Sequence, residues 1–329
     1  MESLNRDQGP KIVALGGGHG LSNLLRGLKQ YTSNLTAIVT VSDDGGGSGA
    51  LRDDLGMLPP GDIRICMEAL ANTEPLMQQL LGYRFPEGRL AGQSCGNLLL
   101  AALNGVLGSF DGAVGELSQV LAITGQVLPV TVDNVVLEAT FENGAQVRGE
   151  SKIASFKKSQ NCGIDRVALL PANPAALPAT LEAIAGADII VLGPGSLYTS
   201  LIPNLLVDGV AEAICHADAF KLYIANIMTQ EGETENMTLS DHIRALQAHG
   251  GKDLMHLCLA NSAELRSGLL ERYSQEGAVP LTVDVQEAQA LGVEVVRRSI
   301  AELHSSFARH SYHELARAVM ELYGQRCCG

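Results

Sequence analysis

The sequence predicts an α/β fold on an open parallel sheet, and three observations predict it. A short apolar run, a glycine-rich loop and a helix start follow one another three times, at residues 11–22, 35–55 and 188–200. β-Branched runs alternate with amphipathic runs along most of the remaining chain. The chain has 329 residues, 46% of them hydrophobic, which supplies material for a large core.

Residues 1–10 are polar and aperiodic and read as a flexible lead-in to a single domain over 11–329. Residues 12–16 form the first predicted strand, followed by Gly16, Gly17, Gly18, His19 and Gly20 and then a helix. Glycines let a backbone approach an anion, and the helix start offers free N–H groups and a positive dipole. The alternative is a turn with no ligand. His19 either donates to a phosphate or points outward.

A second strand over 35–41 empties into Ser42, Asp43, Asp44, Gly45, Gly46, Gly47, Ser48 and Gly49. In open parallel sheets the carboxyl ends of the strands line the ligand crevice, which puts both aspartates beside the first glycine loop. A dinucleotide-binding unit would place one acidic residue at this strand tip, and Asp43 nearly fits; the trailing GGGSG does not. The pair Asp43 and Asp44 can hold Mg²⁺ against phosphate oxygens, orient a hydroxyl, or cap the following turn. Asp62 reads as the N-cap of a helix reaching about residue 72, with Arg64 able to fork onto a phosphate or pair with Asp53 or Asp54.

Helices follow over 74–83, 96–107 and 112–124. Residues 98–103 are apolar nearly all round, which predicts a buried helix, with Asn97 either facing a ligand or sharing the cap with Ser94. A small β insertion spans about 126–162, with strands over 127–132, 135–141 and 145–150 and a hairpin turn at Glu142, Asn143 and Gly144. Residues 151–162 are polar and poorly periodic and read as a loop or flap.

The α/β alternation resumes with a strand over 165–170, a helix over 174–184 and a strand over 188–192. The last of these runs into Gly193, Gly195 and Ser196, and Ser196, Thr199 and Ser200 add hydroxyls to the loop amides. Three such loops are hard to explain as packing turns alone. Strands over 221–227 (ending on Asn226), 254–260 and 293–296 complete the pattern with helices over 240–248 (capped by Ser240), 264–273 and 312–323.

Net charge is -13, which argues against nucleic acid, because phosphate-neutralising proteins cluster Lys and Arg. The longest apolar run, 98–103, is far short of the ~20 residues a bilayer crossing needs. With no targeting pattern ahead of the first strand, a soluble cytoplasmic protein is expected. The seven cysteines show no CxxC and no metal-ligand spacing, so they are expected to be reduced, with Cys66, Cys215 and Cys258 in the core and Cys327 and Cys328 at an exposed terminus.

The segments GGGHGLSNLLRGLKQYTSNLTAIVTVSDDGGGSG, LPPGDIRIC, GNLLLAAL, ADIIVLGPGSLYTSLIPNLL and NIMTQEGET resemble the bacterial gluconeogenesis factor family, relatives of the 2-phospho-L-lactate transferases. The resemblance runs from Lys11 to Gly329. It implies a three-layer Rossmann-like fold and a cytoplasmic role in carbon metabolism and cell shape. It also implies binding of a nucleotide-sugar of the UDP-N-acetylglucosamine type, with an unidentified protein partner.

The resemblance and the residues together nominate Gly16, Gly17, Gly18, His19, Gly20, Asp43, Asp44, Gly45, Gly46, Asp62, Arg64, Asn97, Gly193, Gly195, Ser196 and Asn226 as the ligand cleft. Arg309 and His310 join them through the family's Arg-His pair. Ile65, Glu231 and Ser311 depart from the family's usual Asn, Pro and Asp.

Two functions from different classes follow. One is a regulatory sensor of a nucleotide-sugar. The other is a transferase using a nucleoside-diphosphate-activated donor, with Asp43 and Asp44 as catalytic residues holding Mg²⁺, the one cofactor in view. Neither a membrane nor a nucleic acid is an expected partner, and a homo-oligomer stays open.

Overall fold

The chain alternates strands and helices as its hydrophobic pattern directs. The structure is a computed structural model in which residues 8–302 and 306–327 are described. They begin with β1 (Ile12–Gly16), α1 (Gly18–Leu28), β2 (Leu35–Val39), α2 (Gly46–Leu55), α3 (Gly61–Leu70), α4 (Pro75–Gly82), α5 (Cys95–Leu107), α6 (Phe110–Val120) and β3 (Gln126–Pro129). Next come β4 (Val136–Phe141), β5 (Gln146–Arg148), α7 (Glu150–Gln160), β6 (Ile164–Leu170), α8 (Pro178–Ala185) and β7 (Ile189–Leu192). A π-helical turn (Leu197–Leu201) runs into α9 (Ile202–Leu205), followed by α10 (Val210–His216), β8 (Phe220–Ile224), α11 (Leu239–Gly250) and β9 (Leu257–Asn261). The chain closes with α12 (Ser267–Gln275), α13 (Val285–Ala290), β10 (Glu294–Arg298) and α14 (Tyr312–Cys327).

Among the described residues the main sheet has seven strands in the order β10-β9-β8-β7-β1-β2-β3, every pair parallel. A parallel sheet is covered on both faces and so needs strands apolar on both. β1 (IVALG), β2 (LTAIV) and β7 (IIVL) are buried at every position. Connections step outward from β1 to β3 in one direction and from β7 to β10 in the other. Because crossovers are right-handed, that reversal puts the two sets of helices on opposite faces. On one face α1 packs with α3 and α14; on the other α10 packs with α8 and α9, and α11 with α9. The reversal falls between β1 and β7, where diverging strand ends leave a crevice.

The antiparallel sheet has the order β5-β4-β6. Residues 126–129, read from sequence as part of the insertion, instead form the parallel edge strand beside β2. Residues 164–170 do not resume the main sheet but pair with β4. Alternation with period two marks a half-buried strand without saying which sheet it joins.

Residues 150–160 are helical rather than a loop. α7 is too polar to be specified by its own pattern, and tertiary anchors fix it. Asp44 Oδ1 accepts from the Ser151 N–H at 2.8 Å, Lys157 Nζ donates to the Glu233 carbonyl at 3.0 Å and pairs with Glu235, and Ile153 is buried beneath. α11 starts one turn of cap earlier than read, since Thr238 and Asp241 form a reciprocal capping box.

α5 is the clearest surprise. Only Gly96, Asn97 and Leu100 are buried on it, while Leu99 and Val106 face outward. Cys66 and Cys258 are buried, whereas Cys215 is half-buried with its thiol on the Gly250 carbonyl. Residues 1–7 of the lead-in and the side chains of Cys327 and Cys328 lie outside the described residues. No helix among the described residues is long and apolar enough to cross a membrane.

Candidate functional site

A cavity of about 1070 Å³ opens at the reversal between β1 and β7. Its floor is the first turn of α1, with Gly17, Gly18, His19 and Gly20 all lining it. Gly18 sits at φ +59, a left-handed conformation that suits glycine. A Cβ on Gly20 would lie 2.5 Å from the Pro194 carbonyl oxygen, so the loops after β1 and β7 touch backbone to backbone. Two amides sew them together. Asn204 Nδ2 donates to the Gly16 and Ser200 carbonyls at 3.1 and 2.7 Å, and Asn226 Nδ2 donates to the Gly195 carbonyl at 2.9 Å.

The three glycine loops converge on this edge but use their amides differently. First-turn amides of α1 have no intrahelical acceptor, and this turn faces the cavity. The loop after β2 is partly self-satisfied, since the Gly45 N–H donates to Asp43 Oδ1 at 2.8 Å. After β7 the helix-start amides of Tyr198 and Thr199 both donate to Glu233 Oε1, at 2.7 and 2.9 Å. Ser196 Oγ donates to Gln230 Oε1 at 2.8 Å. An internal carboxylate therefore occupies the anion position of the third loop.

Acidic groups dominate one wall. Asp43, Asp62 and Glu150 line the cavity together. Burial, with the Asp43 carboxylate nearby, pushes Asp62 up to about 7, against the opposing pull of the Gly18 amide and Arg64. Burial and the charges of Asp43 and Asp62 push Glu150 up to about 9. Burial likewise raises Glu233 to about 7, although the Tyr198 and Thr199 amides and Lys157 favour its charged form.

The opposite wall carries cations and an aromatic ring: Arg26 from α1, Arg309, and Tyr273 from α12. Tyr273 is held by the Ala308 N–H at 3.2 Å, and Arg309 Nε donates to Glu302 at 2.6 Å. His310 also lines the cavity but is a tether. It is buried, its Nε2 lies 3.2 Å from the Ala225 carbonyl, and its own carbonyl accepts from Asn23. Desolvation holds its ring down to about 4, so it is neutral and donates to that carbonyl.

Several nominated residues lie elsewhere. Arg64 is buried, donating through Nε to Asn97 Oδ1 at 2.9 Å and pairing with Glu68, so both join α3 to α5 behind the cavity. Ser94 caps α5 by accepting from the Asn97 N–H at 3.2 Å. Asp44 turns away to the start of α7. Gly45 lines a smaller neighbouring hollow with Asp43 and Glu150. Gly46 is exposed, while Gly16 and Gly193 shape the strand ends without lining the cavity.

Sequence reasoning missed Glu150, Arg26, Gln230, Tyr273 and the buried Glu233. Arg26 had a legible signal, being two turns along the helix that opens on the cradle. The others sit far from any glycine motif and are brought in by topology.

Among the described residues no three His, Cys, Asp or Glu side chains converge to hold a metal by themselves. Asp43, Asp62 and Glu150 are nevertheless oxygen donors crowded enough to raise one another's proton affinity, the donor class that suits Mg²⁺ once ligand oxygens complete the shell.

The 2-phospho-L-lactate transferase CofD family model matches residues 12–301. A Clostridium acetobutylicum protein is 50% identical over 314 residues, covering 95% of this chain and 70% of that one. The gluconeogenesis factor of Bacillus subtilis is 45% identical over 316 residues, covering 96% and 98%. A crystal structure of a UPF0052 family protein from Bacillus halodurans superimposes with a TM-score of 0.91 at 42% identity, covering 95% of this chain and 99% of that one. With the same α/β architecture and near full-length similarity, the chain belongs to the CofD family, among relatives that carry the gluconeogenesis factor name.

Proposed function

We propose that the chain binds a nucleotide-sugar of the UDP-N-acetylglucosamine type in this cavity and acts as a regulator of carbon metabolism, cell-wall supply and cell shape. The observation that carries the proposal is the division of one cavity into three chemistries. The first turn of α1 with Arg26 suits a diphosphate. Asp43, Asp62 and Glu150 offer acceptors to sugar hydroxyls. Tyr273 and Arg309 offer a ring face and a planar cation to a base. A nucleotide-sugar carries all three parts at matching succession.

The acidic wall favours a second reading, a transferase. Asp43, Asp62 and Glu150 would hold Mg²⁺, which would stabilise charge on a departing diphosphate. Glu150, protonated up to about pH 9, would keep a proton on that wall. The family match to 2-phospho-L-lactate transferases supports the same reading.

Titration calorimetry with UDP-N-acetylglucosamine, GDP and NAD, with and without Mg²⁺, separates these. Tight UDP-sugar binding with the ligand recovered intact after prolonged incubation supports the sensor. Consumption of a nucleotide ligand supports the transferase. Binding of NAD alone defeats both.

A further inference from the structure

We propose that the outer face of α4 and α5 is the interface of a two-fold homodimer, covered in solution by a second copy of this chain. On α4, Leu76, Leu80 and Tyr83 fall at spacings of four and three and form one stripe. On α5, Leu99, Ala102 and Val106 do the same. The two helices pack against each other, so the stripes adjoin. Leu76 is 75% exposed and Val106 80%. Monomeric soluble proteins rarely expose apolar patches beyond a few hundred Å². A stable partner buries about 800 Å² per side, an extent that these stripes with neighbouring Leu90 and Leu107 approach.

Charge selects the occupant. The chain carries 36 acidic and 23 basic residues, yet no charged residue occurs in α4 or anywhere from Leu90 to Phe110. In a self-complementary contact every carboxylate meets the mirror region of its own copy, so an acidic protein can pair with itself only across an uncharged face. The lack of Lys and Arg there disfavours an anionic lipid surface, which is held by basic residues. Gly105 in α5 is an independent sign. A Cβ there meets nothing within 4 Å, so no contact inside the protomer requires glycine in the middle of this helix. Glycine weakens a helix interior, and an approaching backbone is what would favour it.

The test is sedimentation equilibrium of the full chain across the micromolar range. The expected result is twice the chain mass of 34.7 kDa for wild type. The double variant L99E/V106E, and separately G105W, are expected to sediment as monomers with unchanged circular dichroism. G105W adds bulk without charge at a position open in the protomer, so it guards against a charge-specific artefact. A wild type that stays monomeric at hundreds of micromolar overturns the proposal. So does a dimer that survives both variants. A monomeric wild type that floats with phosphatidylcholine vesicles assigns the face to lipid and overturns it equally.

Discussion

The loop after β1 and the loop after β7 are spelled alike, each an apolar strand followed by glycines and a helix start, and they lie side by side in space. The first presents its helix turn to the cavity. The second gives its first two helical amides to Glu233, a buried carboxylate more than thirty residues downstream. A glycine cradle is therefore only half of an anion site. The other half is the absence of an internal acceptor, and that depends on residues remote from the motif.

The largest effect that could break this contrast is at Glu233. E233A strips the acceptor from two helix-start amides and is expected to cost about 3 kcal/mol at pH 6, read by urea denaturation. A cost below 1 kcal/mol would mean that the third loop needs no internal anion. E233Q keeps an acceptor and sharpens the point through pH. The folded value of about 7 lies above the ordinary 4.5, so wild-type stability is greatest below about pH 4.5 and is lost as pH rises through about 7. The stability difference should shift towards Gln by about 2–3 kcal/mol between pH 5 and pH 8, and a constant difference would refute the shift.

The first loop should behave oppositely, with ligand affinity falling while the fold holds. R26A and Y273A are each expected to weaken UDP-N-acetylglucosamine binding by about ten- to thirtyfold by calorimetry, with the melting temperature unchanged. Unaltered affinity in both would remove the ligand from this cavity. The smallest effect expected is at Asp62. Its carboxylate is ionised above about pH 7 and repels an incoming diphosphate, so D62N should tighten divalent-free binding about threefold at pH 8. At pH 6 the wild-type proton does the same work and the difference should vanish. Loss of an Mg²⁺-dependent increment in D62N would instead favour the transferase.

Much of the fold was legible because buried parallel strands must be continuously apolar, as in IVALG and IIVL, and glycines mark their ends. The convergence of the three loops was legible for the same reason. The wall chemistry was not. Glu150 looked like the tail of a strand, and its role comes from the turn that swings α7 over Asp43 and Asp44. Arg64 and Asn97 looked like ligand groups because both sit at helix starts, but they meet each other first. α5 misled in another way: an all-round apolar helix implies cover on every side, and the protomer supplies it on only one.

The position of β1 has a consequence for synthesis. Its neighbours are β2, which follows within about twenty residues, and β7, which arrives after most of two hundred. A nascent chain thus carries an unpaired, wholly apolar strand edge until more than half of it has left the ribosome, a template for association with other chains. Slow translation or heat stress would be felt first as aggregation of the N-terminal half, before any pocket for a small molecule exists.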